Sequence, residues 1–372
     1  MTRLEAVELR VVELPLVSPF RTSFGTELVK ECIVVRAVTD AGEGWGECVA
    51  MTDPFYSSEF LTGAAEVLRR WLVPALFAAG DELAADAVLP LTEHVKDHRM
   101  AKAALEMAVL DAELRAADRS LAQRLGATAT WIPSGVSVGI QPSIAALVDV
   151  VDGYVAEGYR RIKLKIEPGF DVDAVRAVRE HIGPDVPLQV DANTAYTVAD
   201  AEHLARLDEF DLLLIEQPLP EDDVAGHVVL AQRLRTPICL DESILSAAGA
   251  ADAIDRGACS IVNIKAGRVG GYLEAVRVHD ACVERDVPVW CGGMVETGLG
   301  RAANVALAAL PGFTLPGDTS GSDRFFTTDL TEPLVLRDGG LDVPTAPGLG
   351  VTPIPEHLER FTTHAEWLRP EV

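Results

Sequence analysis

Five charged residues recur at near-constant spacing through the middle of the chain: Lys165, Asp191, Glu216, Asp241 and Lys265. Successive members lie 26, 25, 25 and 24 residues apart. That interval holds one strand, one helix and their loops, so each residue takes the same place in a repeating unit. Each ends a short apolar run, in the stretches Lys163-Leu164-Lys165, Asp191-Ala192-Asn193, Glu216-Gln217-Pro218, Asp241-Glu242-Ser243 and Lys265-Ala266-Gly267. Three carboxylates at one height repel one another unless a cation lies between them. An all-oxygen donor set suits Mg²⁺, with Mn²⁺ as a substitute, and no His falls at these strand ends to suggest zinc or non-haem iron. Taken singly, each carboxylate could instead cap the following helix or pair with a lysine. The matched spacing of all three favours the cation.

Side chains alternate along a strand. Lys163 and Lys165 therefore share a face, as do Gln189, Asp191 and Asn193, while Leu164 turns to the helices. Lys165 and Lys265 stand nearly opposite across an eight-stranded ring. An ordinary lysine, with a pKa near ~10.4, must lose its proton to act as a base. Burial, a nearby cation and the adjacent Lys163 are expected to push that pKa down. The chemistry implied is removal of a proton next to a carboxylate, with the enediolate charge stabilised by the metal.

The elements that must hold these residues begin near Ile132. Strands are expected at Ser134–Ile140, Arg161–Ile166, Pro187–Ala192, Leu212–Gln217, Pro237–Glu242, Ser260–Ala266, Pro288–Gly293 and Phe313–Asp318. Helices lie between them, as at Asp171–Ile182, Thr197–Phe210 and Tyr272–Arg285. Eight such units read as a β/α barrel of the TIM type, whose chemistry sits at the C-terminal strand ends. A doubly wound open sheet would want a glycine-rich phosphate turn, and no GxGxxG or GxxxxGK[ST] occurs. Before the barrel, residues 1–128 read as strands and then Ala-rich helices, an α+β domain. Strands are expected at Met1–Glu13 and Val29–Thr39, and the clearest helix at Ala101–Ala117. The barrel then spans 129–345, and the tail 346–372 is expected to pack back on the first domain.

The chain has 372 residues and a net charge of −25, so nucleic acid and anionic membrane surfaces are disfavoured partners. Its 48% apolar content supports a large core. No apolar run is long enough to span a bilayer, and the acidic N-terminus does not read as a signal peptide. The six cysteines form no CxxC pair and read as buried thiols, in keeping with a cytoplasmic enzyme.

The KLK, VDAN, IEQP and LDES stretches resemble the muconate lactonizing subgroup of the enolase superfamily. So do the runs Asn263–Gly271 and Cys291–Asn304. Within that subgroup the chain most resembles the o-succinylbenzoate synthase / N-acylamino acid racemase family. The match runs from Phe20-Arg21-Thr22 to Asp318-Thr319-Ser320, nearly the whole chain. These motifs are specific to the subgroup and less so to the reaction. The resemblance implies a modified TIM barrel, (β/α)7β, under an α+β capping domain, with Mg²⁺ held by Asp191, Glu216 and Asp241. It makes Lys165 and Lys265 the acid/base pair, with Lys163 tuning the site and Asn193 and Glu242 behind the ligands. It implies syn dehydration of 2-succinyl-6-hydroxy-2,4-cyclohexadiene-1-carboxylate to o-succinylbenzoate, a menaquinone precursor. There Lys165 takes the proton and helps the hydroxyl leave, while Lys265 stabilises the enediolate. Racemisation of N-acylamino acids, N-succinyl ones above all, is the second activity and needs both lysines. The partners implied are a small carboxylate substrate and further copies of the chain in a homo-oligomer.

Same-subgroup rivals are dipeptide epimerases and muconate cycloisomerases. The Asp-x-Asp that epimerases commonly carry on strand eight is missing from Gly317-Asp318-Thr319. Mandelate racemase-like relatives use a strand-seven His, where this chain has Trp290-Cys291-Gly292-Gly293-Met294. Rivals of another class are a Schiff-base lysine enzyme and a non-catalytic barrel. Substrate walls are expected from two capping-domain loops, Ser18–Gly25 and Val49–Tyr56, through Phe20, Ser23, Phe24, Met51 and Tyr56. Gly292 and Gly293 are expected to leave room, with Met294 as a soft wall. Arg268 is expected to tune Lys265 or orient the substrate, and Asp318 to touch the substrate or cap a turn.

Overall fold

The computed structural model describes residues 2–370. A four-stranded antiparallel sheet and a set of helices form the first part. Strands Leu4–Thr22 and Gly25–Thr39 make one long hairpin, joined on one side by Gly42–Cys48 and on the other by Thr362–Leu368 near the C-terminus. The tail thus returns to the first strand, with Val7 opposite Leu368 and Arg10 opposite Ala365. The helix Arg99–Ala116 is buried on nearly every side, and its alanines let it lie directly on Gly42–Cys48. Gly44 and Gly46 make that approach possible, since a Cβ on either would run into the backbone of Ala112 or Ala104. Close backbone approach of this kind selects glycine.

The hairpin corrects one expectation. Ser18–Gly25 is not a free loop: pairing continues through Phe20–Glu27, Arg21–Thr26 and Thr22–Gly25 after a break between Pro15 and Phe20. Its aromatic and small residues made the stretch read as a loop, and Pro19, which cannot donate, lies within the break in the ladder. The strand expected at Val29 begins at Gly25, because its first residues pair with Phe20–Thr22.

The second part is a parallel sheet of seven consecutive strands: Gly135–Val138, Arg161–Lys165, Leu188–Asp191, Ile215–Glu216, Ile238–Leu240, Ile261–Ile264 and Val289–Cys291. The expected eighth strand, Phe313–Asp318, is not a strand. It still lies between the last and first strands, through single bridges from Phe313 to Val289 and from Gly317 to Ser134. Backbone bonds from Asp318 N to Cys291 O (2.8 Å) and Gly135 N to Gly317 O (2.7 Å) stitch it in. Pro316 cannot donate, so the ladder fails there while the ring still closes. Similarly, Thr197–Phe210 is not one helix but a four-residue α-turn, Ala201–Leu204, between 3₁₀ segments. Inside the ring, Leu214, Cys239, Ile261 and Trp290 form a small apolar plug separate from the main core. All six cysteines are buried and unpaired. No helix of the described residues is long and apolar enough to cross a membrane.

Three buried carboxylates position helices where the two parts meet. Glu47, on a capping-domain strand, accepts hydrogen bonds from Thr297 N (3.0 Å), Thr297 Oγ1 (2.7 Å) and Gly300 N (3.0 Å), at the start of the barrel helix Gly298–Ala308. Glu106 accepts from Leu273 N at 3.0 Å, at the start of Tyr272–Val283. Glu59 accepts from Met100 N and Ala101 N, both at 2.8 Å, and so caps Arg99–Ala116. Helix N-termini offer unpaired N–H groups and a partial positive charge, which suits an acidic side chain.

Candidate active site

The C-terminal ends of the barrel strands bring the recurring charges together. Arg161, Lys163 and Lys165 alternate into the barrel from the second strand and are buried. Lys163 Nζ lies 2.6 Å from Asp318 Oδ2, 2.8 Å from Glu216 Oε2 and 3.0 Å from Asp191 Oδ2. It also sits over the Trp290 ring, 4.8 Å from its centroid. Lys165 Nζ donates to Asp191 Oδ2 at 2.6 Å and to Asn193 Oδ1. Asn193 Nδ2 donates onward to Glu242 Oε1 at 3.0 Å. Across the ring, Lys265 Nζ donates to Asp241 Oδ2 at 2.7 Å and to the Tyr56 hydroxyl at 3.2 Å.

The carboxylates set the field at Lys163 and Lys265. Burial works to lower the pKa of Lys163, but Asp191, Asp318 and Glu216 outweigh it and hold the ammonium well above the usual lysine range. Lys265 behaves alike: burial is overcome by Tyr56, Glu242, Glu216 and Asp191, and its pKa is raised, not depressed. The expectation of lowered lysines concerned amines beside a bound cation, whereas here the carboxylates face the amines of Lys163 and Lys265 directly. Among the carboxylates, burial raises Glu216, and the neighbouring Asp191 charge adds to this. Asp191 goes the other way, because Lys163 and Lys165 together overcome its burial and keep it ionised. Glu242 is pushed up to about 7, chiefly by burial.

The rim residues suit a hard divalent cation by donor chemistry. Asp191, Glu216 and Asp241 are buried carboxylates on three adjacent strands. The Oε2 atom of Glu242 is buried without a hydrogen-bond donor. Among the described residues no three His, Cys, Asp or Glu side chains stand in coordinating geometry. The amines of Lys163, Lys165 and Lys265 are bonded to the same carboxylates instead. The charge a cation would balance is therefore balanced by ammonium groups, and the set of oxygens still fits Mg²⁺.

Above the rim is a cavity of ≈ 420 Å³ lined by both Lys165 and Lys265. Of the expected walls, Phe20, Phe24, Met51, Tyr56, Gly293 and Met294 line it. Phe24 and Tyr56 face each other with centroids 6.2 Å apart. The other four lie elsewhere. Ser23 Oγ donates to Asn193 O at 3.2 Å, tying the hairpin tip to the rim. Gly292 gives its space to Asn263 and Lys265, since a Cβ there would lie 2.8 Å from Lys265 Cε. Arg268 is buried behind the rim, pairing with Asp241 and donating to Ile244 O (2.8 Å) and Asn263 O (2.6 Å). Asp318 is neither a wall nor a simple turn cap. It joins Lys163 to Arg161, which donates to its Oδ1 at 2.8 Å, and these two cations hold its pKa down despite burial.

Sequence reasoning missed Glu27, Glu31, Asp53 and Phe55, which also line the cavity. The period-two pattern Glu27-Val29-Glu31 was a signal for the first two: Glu31 fell inside the expected strand Val29–Thr39 and Glu27 just before it, but only the loop Ser18–Gly25 was assigned to the substrate walls. Backbone strain collects at the same rim: Asn193, Thr194, Gln217 and Val295 have φ of 41°, 65°, 38° and 55°. Left-handed backbone is costly for a β-branched residue such as Val295, and such outliers gather at functional sites.

Comparison with known proteins places this architecture. Residues 146–357 match the family described as enolase C-terminal domain-like, and residues 6–126 match the mandelate racemase / muconate lactonizing enzyme N-terminal domain. An N-succinylamino acid racemase from an Amycolatopsis species is 67% identical, over 98% of this chain and 99% of the relative. An o-succinylbenzoate synthase from Geobacillus kaustophilus is 50% identical, over 98% and 97%. The solved structure of an enolase-superfamily member from Listeria innocua superposes with a TM-score of 0.95 at 39% identity, covering 99% of this chain and 100% of that one. The chain therefore belongs to the enolase superfamily, with the paired N- and C-terminal domains of its mandelate racemase / muconate lactonizing enzyme branch.

Proposed function

We propose that this enzyme is an o-succinylbenzoate synthase that also racemises N-succinylamino acids at the same site. The observation that carries the reading is the pair of lysines: Lys165 and Lys265 enter one cavity from opposite sides of the barrel rim. In both reactions the first event is loss of a proton next to a carboxylate. Such a proton is very weakly acidic, so the base must be aimed and the resulting charge must be met. When bound by Asp191, Glu216 and Asp241, Mg²⁺ would offset their charge and that of the enediolate.

In the dehydration, Lys165 removes the proton and, as an ammonium, returns it to the departing hydroxyl on the same face. Lys265 stays cationic on the other face and stabilises the enediolate. In racemisation one lysine removes the α-proton and the other delivers a proton to the opposite face. Lys163 and Asp318 fix the charge beneath the reaction. Phe20, Phe24, Met51 and Tyr56 exclude water. Synthesis of o-succinylbenzoate would place the enzyme in menaquinone formation. The two relatives above, one of each name, support both activities.

The deciding experiment supplies Mg²⁺ and follows both substrates in D₂O. We expect o-succinylbenzoate to form, and N-succinylamino acids to gain α-deuterium from either enantiomer. Failure to turn over either substrate, or a borohydride-trapped substrate adduct on a lysine, would falsify the reading.

A further inference from the structure

The rim loop after the seventh strand is held from the capping domain. The barrel ladder ends at Gly292, whose N donates to Ile264 O at 3.0 Å, and residues 292–297 have no regular secondary structure. Side chains take over from the ladder there. Met294 N donates to Glu296 Oε1 at 2.8 Å, and Glu296 is fixed in turn by Asn304 Nδ2 at 2.9 Å and Arg301 Nη2 at 3.1 Å. Met294 O accepts from Lys30 Nζ at 2.8 Å. Both polar groups of the Met294 backbone are thus bonded, one by a carboxylate anchored on the barrel helix Gly298–Ala308 and one by the capping hairpin.

Lys30 lies on the strand Gly25–Thr39, opposite Leu14, and is 2% exposed. An apolar residue would fill such a place at less cost than an ammonium, so the charge points to a task at Met294 O. The oxygen it holds belongs to the peptide that leads into Val295, whose φ of 55° is unfavourable for a β-branched residue. Backbone of that kind persists only where its surroundings hold it. The loop also sets two surfaces. Gly293, Met294 and Val295 line the same cavity as Lys265. Gly292 backs onto the Lys265 stem, since a Cβ there would lie 2.8 Å from Lys265 Cε. A loop that shifts therefore moves the surface on which that stem rests.

We propose that Lys30 is a positioning residue: through Met294 it holds the loop that aims Lys265, and racemisation depends on it more than dehydration does. This rests on the two-reaction reading above. In dehydration Lys265 supplies a charge, and Coulomb attraction changes gently with distance: going from about 4 to about 5 Å lowers it by about a fifth. In racemisation Lys265 must exchange a proton with the substrate carbon, which demands close approach and alignment, and a misplacement of about 1 Å can cost about 10²-fold. The same small shift of the loop thus weighs differently on the two reactions.

The test measures kcat for o-succinylbenzoate formation and for racemisation of N-succinyl-L-norleucine, using the full chain with Mg²⁺. Lys30→Met removes the donor and keeps the apolar bulk. Lys30→Gln keeps polar atoms but is one atom too short to reach, and serves where Lys30→Met does not fold. Circular dichroism checks the fold of each. The racemisation kcat should fall at least about tenfold more than the dehydration kcat. A partly unfolded preparation lowers both in proportion and leaves their ratio alone, so the ratio separates aiming from mere stability. Amide hydrogen exchange in residues 293–297 should also quicken relative to the wild type. A ratio within about twofold of the wild-type one, or unchanged exchange in that loop, overturns the proposal. So does loss of the fold in both variants, which would make Lys30 a residue of stability alone. A wild type that lacks either activity removes the reading above and this inference with it. Both activities present with an unmoved ratio remove this inference alone.

Discussion

Two groups of buried carboxylates face different partners in this molecule. Glu47, Glu59 and Glu106 face backbone N–H groups at helix starts. Asp191 and Asp241 face lysine ammonium groups at the barrel rim, and Glu216 faces both Lys163 and the amide of Asn263. The first group is held by partial charges, which do not fully offset the loss of water. Burial accordingly lifts Glu59 to about 7 and Glu106 to about 8. At the rim, full positive charges overcome the same burial for Asp191 and keep it ionised. The lesson is that burial alone does not give a carboxylate its role. Held by backbone dipoles it joins elements together, and surrounded by buried amines it becomes part of a reactive array.

The rim half of this contrast is broken most severely at the amines. Lys165→Ala should lower both reactions by at least about 10³-fold while leaving the circular dichroism spectrum unchanged. Lys265→Ala should abolish racemisation too, and racemase activity surviving at the wild-type level in it would defeat the two-base assignment. Chelation of Mg²⁺ should stop both reactions reversibly. Activity that persists in excess chelator would leave the three carboxylates without their proposed task.

The junction half should show in stability instead of turnover. Glu106 has a raised folded-state pKa, so its contribution is complete below the ordinary carboxylate range and fades as pH climbs through about 8. Comparing wild type with Glu106→Gln in urea melts, the wild type should lose roughly 2–3 kcal/mol more between pH 6 and 8. Parallel pH profiles would show that Glu106 is ionised without cost. Smaller again is removal of a junction cap. Glu47→Ala should cost about 1–2 kcal/mol in the same melts, by exposing the first turn of Gly298–Ala308. The smallest effect belongs to a carboxylate in water. Glu167, only partly buried, pairs with the exposed Arg21 at 2.9 Å, and Glu167→Ala should change stability by less than about 1 kcal/mol. A larger loss there would mean that the hairpin tip depends on that ion pair more than on its strand pairing.

Much of the rim was readable because its chemistry repeats with the fold. A charged residue at the same place in successive strand–helix units needs no tertiary knowledge to be grouped. Alternation along Arg161–Lys165 likewise set the inward face, and the structure buries Lys163 and Lys165 there together. What escaped were residues whose role depends on a neighbour far away in the chain. Asp318 lies 155 residues beyond Lys163 in the chain and is next to it only because the ring closes. Gly292 is small because Asn263 and Lys265 fill its space. Glu27 and Glu31 became visible as cavity walls once the hairpin was seen to stay paired through Phe20 and Glu27.

Residue types and their intervals alone therefore determined the barrel, the inward strand faces and the identity of the charged rim set, since these follow from local periodicity. Tertiary structure decided the charge balance around Lys163 and Lys265, the bridged closure by Phe313–Asp318 and the acidic residues among the cavity walls. The reason is that electrostatic balance depends on the distances among all charges at once. Those distances are set by how the strands close into a ring and how the hairpin lies across it.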